Sequence, residues 1–385
     1  MAPVTTCSAG VVPGVPRTAC VRSRVKTDVK FIQHESPFRG KLQNVPQHVG
    51  EFKQISYRSR RMVVMATPHR VQVLATATVQ SPAEVFPMFL PPEVQFLEEP
   101  AARVMASKVQ RLPVQTSLSQ QSIGTSCVPP SVQSADKPPV LLIHGFDSSV
   151  LEWRRLYPLL EAGGVETWAI DVLGWGFSST EGVSSFGVAA KREHLYEFWK
   201  THVKRPMVLV GASLGGSIAI DFAVTHPDAV TKLILIDAQG FSEGVGNLAT
   251  FPKFLAYAGI ALLKSVPLRS YANYLAFSKV TMAALFDGMR VGRLHTLVNG
   301  WSDASVSFML SGGYNVTSRV PEIQQETLVI WGEKDKILPQ EDAKRFEKEI
   351  PRAQLHYVKE SGHIPHVEKP DIVADLILNF INPVQ

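Results

Sequence analysis

The five residues Gly211-Ala212-Ser213-Leu214-Gly215 constrain this chain more than any other stretch. An apolar run over 207–210 precedes them, and the small-residue sequence Gly215-Gly216-Ser217-Ile218-Ala219 follows. A G-x-S-x-G pentapeptide between a strand and a helix holds its serine in a tight, exposed turn, where glycines avoid side-chain clashes. The bare pattern recurs by chance, so the context carries the weight. Such a turn needs a buried strand behind it and a helix leading away, and hence a sheet covered by helices.

The flanking pattern supplies that sheet. The short apolar run at 140–143 reads as a strand buried on both faces, and further strands are read at 167–170, 207–210, 233–236, 328–330 and 355–358. Helical spacing falls between them, around Trp153, Leu156 and Leu160 and over 191–200, 218–224, 341–349 and 372–380. Residues 114–118 and 123–128 predict a hairpin ahead of this alternation. The fold class expected is α/β, a mostly parallel sheet with helices on both faces. The core comprises 111–239 and 321–385. The interval 240–320 is too long for a plain loop; its Leu, Tyr, Phe and Met content predicts an inserted helical cap. Residues 67–110, broken by Pro82, Pro87, Pro91 and Pro92, form an extension that either packs on the core or tethers the protein to a membrane surface.

Charge is divided unevenly. Residues 1–66 hold 11 Lys and Arg against 3 Asp and Glu, which leaves 28 against 31 in the remainder. The net +5 therefore belongs to the N-terminus, and the folded body offers no electrostatic case for nucleic-acid binding. The acid-poor leader lacks a secretory apolar run, and Arg60-Arg61-Met62-Val63-Val64-Met65-Ala66 resembles a plastid processing site. Residues 1–66 are read as a disordered plastid transit peptide, with a mitochondrial presequence as the rival. Cys7, Cys20 and Cys127 fit neither a disulfide framework nor a metal site. The most apolar stretch, 251–268, is interrupted by Lys253 and Lys264 and is too broken to span a bilayer. Peripheral membrane association stays open, and oligomeric state is not set by the sequence.

A serine nucleophile needs a base, and the base an orienting acid. His363, in Ser361-Gly362-His363-Ile364-Pro365 after the last strand, is the base candidate. Asp335 follows the preceding strand and gives the order Ser, Asp, His; Asp237, after the strand that follows the serine, is the alternative acid. Oxyanion donors are expected from the N–H groups of Leu214 and Phe146, with Gly145 permitting close approach. His144 and His366 are expected to be structural, and His194, His202, His226 and His295 to lie on the surface or in the cap. No cluster with metal-ligand spacing is present, so no metal or organic cofactor is expected.

Five motifs in order resemble the α/β-hydrolase superfamily: Leu142-Ile143-His144-Gly145-Phe146, Asp171-Val172-Leu173-Gly174-Trp175-Gly176-Phe177-Ser178, Gly211-Ala212-Ser213-Leu214-Gly215-Gly216, Trp331-Gly332-Glu333-Lys334-Asp335 and Gly362-His363. With the leader, the chain is similar to plastid-targeted plant members of this group, among them chlorophyll- and pheophytin-dephytylating esterases. Epoxide hydrolases and haloalkane dehalogenases share these loops but place Asp where Ser213 stands, so the resemblance implies acyl transfer to water. An apolar cap implies a small lipophilic ester as substrate, with Trp175, Phe251, Phe254, Tyr257, Tyr274 and Phe277 as lining candidates. Two rival functions are a hydrolase-fold ligand receptor with little turnover and a carbon–carbon bond hydrolase on the same triad.

Overall fold

The computed structural model describes residues 85–382; the leader 1–66 and residues 67–84 lie outside them. The described part of the N-terminal extension packs on the core. A 3-10 turn at Pro92–Phe96 leads to α1 (Pro100–Lys108), which starts on a proline, as a first helical turn allows. Leu90, Val94, Leu97, Ala102, Met105, Ala106 and Val109 are all buried. Glu99 ties the segment down through Arg154 and Arg155, both at 2.6 Å.

The hairpin expected at 114–118 and 123–128 is β1 (Gln110–Val114) paired antiparallel with β2 (Ile123–Val128). The first strand thus begins four residues earlier than expected. Gln110, Arg111 and Pro113 disguise it, and proline is tolerated because β1 pairs on one side only.

The alternating part follows as β3 (Val140–Ile143), α2 (Tyr157–Ala162), β4 (Thr167–Ile170), α3 (Val188–Phe198), β5 (Met207–Ala212), α4 (Leu214–Thr225) and β6 (Val230–Ile236). Four helices then intervene: α5 (Lys253–Leu263), α6 (Val266–Ala276), α7 (Met282–Leu294) and α8 (Trp301–Leu310). The core resumes with β7 (Glu326–Gly332), α9 (Gln340–Glu349), β8 (Ala353–Val358), α10 (Pro365–Glu368) and α11 (Pro370–Ile381).

The eight strands run in the order β1-β2-β4-β3-β5-β6-β7-β8. All pairings from β4 to β8 are parallel; β1 and β2 join antiparallel at one edge. Successive side chains of a strand point to opposite faces, which divides the core in two. Leu141, Ile143, Leu209, Leu235 and Trp331 pack with Phe198, Ile218, Phe222 and Phe346 on one side. Leu142, Val208, Val210, Ile236 and Ile330 pack with Met105, Leu160 and Ile377 on the other. The chain turns in opposite directions from β3, so the carboxyl ends of β3 and β5 open a crevice there, the usual place for a ligand site in such a sheet. No helix among the described residues is long and apolar enough to cross a membrane.

Candidate active site

Ser213 sits between β5 and α4 at φ 52, a conformation that a non-glycine residue adopts only when its surroundings force it. The surroundings are tight. A Cβ on Gly211 would lie 2.2 Å from the Gly215 carbonyl oxygen, and one on Gly215 would lie 2.3 Å from that of Ile143. The turn therefore accepts only glycine at both positions.

The loops after β7 and β8 bring two partners to this serine. His363 Nε2 is 2.9 Å from Ser213 Oγ, and His363 Nδ1 is 2.8 Å from Asp335 Oδ2. The N–H groups of Ile337 and Leu338 donate to Asp335 Oδ1. Burial opposes ionisation, but His363 and these two donors hold the Asp335 carboxyl below its ordinary value. Asp335, not Asp237, is the carboxylate paired with His363 Nδ1. Asp237, at φ 39 after β6, accepts the Gly332 N–H at 2.8 Å. Burial and the neighbouring Asp335 carboxylate push its own carboxyl well above the usual range. Its surroundings favour the neutral form.

Leu214 opens α4, and the first N–H groups of a helix have no intrahelical acceptor. Phe146 is in the wall of the cavity at Ser213, with Gly145 so close that a Cβ there would stand 3.3 Å from Ser213 Cβ. The Phe146 loop is held by residues that sequence reasoning missed. Glu152 accepts the Gly145 N–H at 3.0 Å and pairs with His366 at 3.2 Å. Although burial opposes it, His366, with His144 and Ser148, keeps the Glu152 carboxyl at about 2. Asp147 binds Arg269 of α6, His295 at 2.8 Å and the Trp301 indole at 2.8 Å. No spacing in the sequence signals these contacts, because all three partners of Asp147 lie far along the chain.

His144 is structural, with Nδ1 on the Gly145 carbonyl and Nε2 accepting the Val172 N–H; burial lowers it to about 4. His366 is buried. His194, expected on the surface or in the cap, is instead buried in the core against Thr125 at 2.7 Å. Its helix turns it inward beside Lys191, which is likewise buried.

A cavity of about 310 Å³ opens at Ser213 and His363. Its wall includes Phe146, Ala272, Asn273, Ala276, Phe277, Val291, Ile337, Ile364 and Val367. Charged groups in the wall are satisfied within the protein: Arg269 by Asp147, Arg154 by Glu99 and Glu152 by His366. A wider cleft by Ala223 and Pro321, about 520 Å³, holds no nucleophile beside a base. Of the six lining candidates, only Phe277 belongs to the wall. Trp175 is buried behind Phe146, edge-on at 5.3 Å, and supports that loop. Phe251, Phe254, Tyr257 and Tyr274 stand outside the cavity with at least 40% of their surface exposed. Aromatic content locates a cap but does not say which face of each helix turns inward.

Residues 138–370 match the family model described as the alpha/beta hydrolase fold. The alpha/beta hydrolase domain-containing protein VTE7 of Arabidopsis thaliana is 50% identical over 297 residues, 77% of this chain and 90% of its own. Lipase 1 of Psychrobacter immobilis is 32% identical over 254 residues, 62% of this chain and 74% of its own. The carboxylesterase CesB of Bacillus subtilis superposes with a TM-score of 0.58 at 19% identity, over 76% of this chain and 98% of its own, a likeness of fold alone. With the family model spanning more than half its length and a plant relative half identical to it, the chain belongs to the alpha/beta hydrolase family.

Proposed function

We propose that this protein is a serine hydrolase that cleaves a lipophilic carboxylic ester by acyl transfer to water. The observation that carries the reading is the continuous relay from Ser213 Oγ through the imidazole of His363 to Asp335, with contacts of 2.9 and 2.8 Å. Asp335 fixes the tautomer that leaves Nε2 free to accept the serine proton. Ser213 Oγ then attacks the ester carbonyl, and the developing oxyanion meets the N–H groups of Phe146 and Leu214. Each such donor lowers the barrier by roughly 3–4 kcal/mol. Collapse of the intermediate expels the alcohol, which takes its proton from His363, and a water activated by the same imidazole releases the acid. The ion pairs that satisfy the charged wall leave an apolar lining at the reacting centre, which favours a lipophilic acyl or alkyl group. The lipase relative supports the same class of substrate. The basic, acid-poor leader and the plant relative support residence in a plastid.

The test is fluorophosphonate labelling of wild type and Ser213→Ala, with p-nitrophenyl esters of increasing chain length. Labelling is expected to vanish in the variant, turnover to drop at least about a thousandfold, and wild-type turnover to rise with acyl length. Labelling that survives in Ser213→Ala would rule out Ser213 as the nucleophile.

A further inference from the structure

Between Lys253 and Lys264, α5 reads Phe254-Leu255-Ala256-Tyr257-Ala258-Gly259-Ile260-Ala261-Leu262-Leu263, with the Tyr257 hydroxyl its only polar side-chain group. A helix apolar on every side is ordinarily enclosed on every side. This one buries only Ala256 and Ile260, one turn apart, where it lies on α8. Phe254 and Leu262 stand 71% and 61% exposed. The surface continues onto α6, which buries none of its residues and presents Tyr271 and Tyr274 to solvent.

Charge identifies what covers this face. Residues 244–286 contain Lys253, Lys264, Arg269 and Lys279 and not one Asp or Glu, in a chain that beyond residue 66 carries more acids than bases. Arg269 is turned inward to Asp147, and Lys279 pairs with Glu360 at 2.9 Å. Lys253 and Lys264, at the two ends of α5, have no carboxylate partner among the described residues. On α5 itself, among the described residues, the Tyr257 hydroxyl donates to Asp303 at 2.7 Å. A second copy in a two-fold dimer would set this same basic patch against itself. An anionic bilayer offers what the face lacks, negative headgroups at the level of the lysines and hydrocarbon below them.

We propose that the outer face of α5 and α6 docks onto an anionic lipid bilayer, with Phe254 and Leu262 among the acyl chains and Lys253 and Lys264 at the headgroups. The opposite side of α6 supplies Ala272, Asn273 and Ala276 to the wall of the Ser213 cavity. One helix thus joins the membrane surface to the reacting centre. The inference rests on the ester-hydrolase reading only in naming where a lipophilic substrate is collected.

The experiment is hydrogen–deuterium exchange on the full chain, with and without phosphatidylcholine vesicles containing about 30% phosphatidylglycerol. Exchange over residues 253–276 is expected to slow at least about tenfold on these vesicles and much less on phosphatidylcholine alone. Phe254→Glu/Leu262→Glu should lose the protection while hydrolysing a short, soluble ester at the wild-type rate, which shows that it folds. Unchanged exchange over 253–276 with vesicles in excess overturns the proposal. So does protection that needs no lipid and grows with protein concentration, which would assign the face to a second copy. Ser213→Ala should be protected like wild type, so loss of catalysis and loss of docking are read separately.

Discussion

Asp237 and Asp335 stand with His363 so that one donor atom from each lies within 4.8 Å of the others, yet their surroundings push the two carboxyls in opposite directions. Asp335 has two N–H donors and the imidazole to stabilise a charge. Asp237 has one N–H donor, complete burial and Asp335 beside it, with Glu368 adding to the repulsion. The neutral form is therefore the stable one. Two substitutions separate their roles. Asp335→Asn should lower kcat by about 10⁴ by presenting the wrong partner to His363 Nδ1. Asp237→Asn keeps an acceptor for Gly332 and should leave kcat within about tenfold. Because the folded chain holds the Asp237 proton above the ordinary carboxylate range, wild-type stability falls as pH rises through that interval. The variant lacks this slope, so its stability relative to wild type should climb as pH rises above the ordinary carboxylate range in urea melts. Parallel stability curves would mean that Asp237 is ionised in the native state.

Among the elements, the cap and the Phe146 loop are joined through one buried carboxylate. Asp147, at φ 48, gathers Arg269 from α6, His295 from the turn after α7 and Trp301 from α8. Asp147→Ala would leave Arg269 without its carboxylate and should cost roughly 3–5 kcal/mol, read as a lower urea midpoint. A rise in KM is expected with it, since α6 carries Ala272 and Asn273 of the cavity wall. The site residues were legible in the sequence because each follows a strand, and strands buried on both faces announce themselves as apolar runs. Ser213 and Asp335 had that signal; His363 follows the half-exposed edge strand β8 and was marked instead by its Gly362-His363 motif. The hub at Asp147 had none, since its partners lie more than 120 residues away. Helix faces in the cap were misread for a related reason. α5 is apolar on all sides, so periodicity could not tell Ile260, which is buried, from Leu262, which is not.

For the whole molecule, the segment before β1 is part of the fold and not an appendage. Its buried Leu90, Val94, Leu97, Met105 and Val109 contribute on the order of 10 kcal/mol, comparable to the total stability of an ordinary domain. A chain beginning at residue 85 should stay soluble and melt cooperatively, whereas one beginning at residue 110 should aggregate. Circular dichroism melts and soluble yield distinguish them. The position of the cap between β6 and β7 also bears on how the protein is made. The contact from Ser213 to His363 spans 150 residues, with the cap and β7 threaded between them. At ribosomal speeds that interval takes roughly 10–30 s. Throughout synthesis, then, Ser213 has no His363 to meet, and their contact forms only after the last strands have arrived.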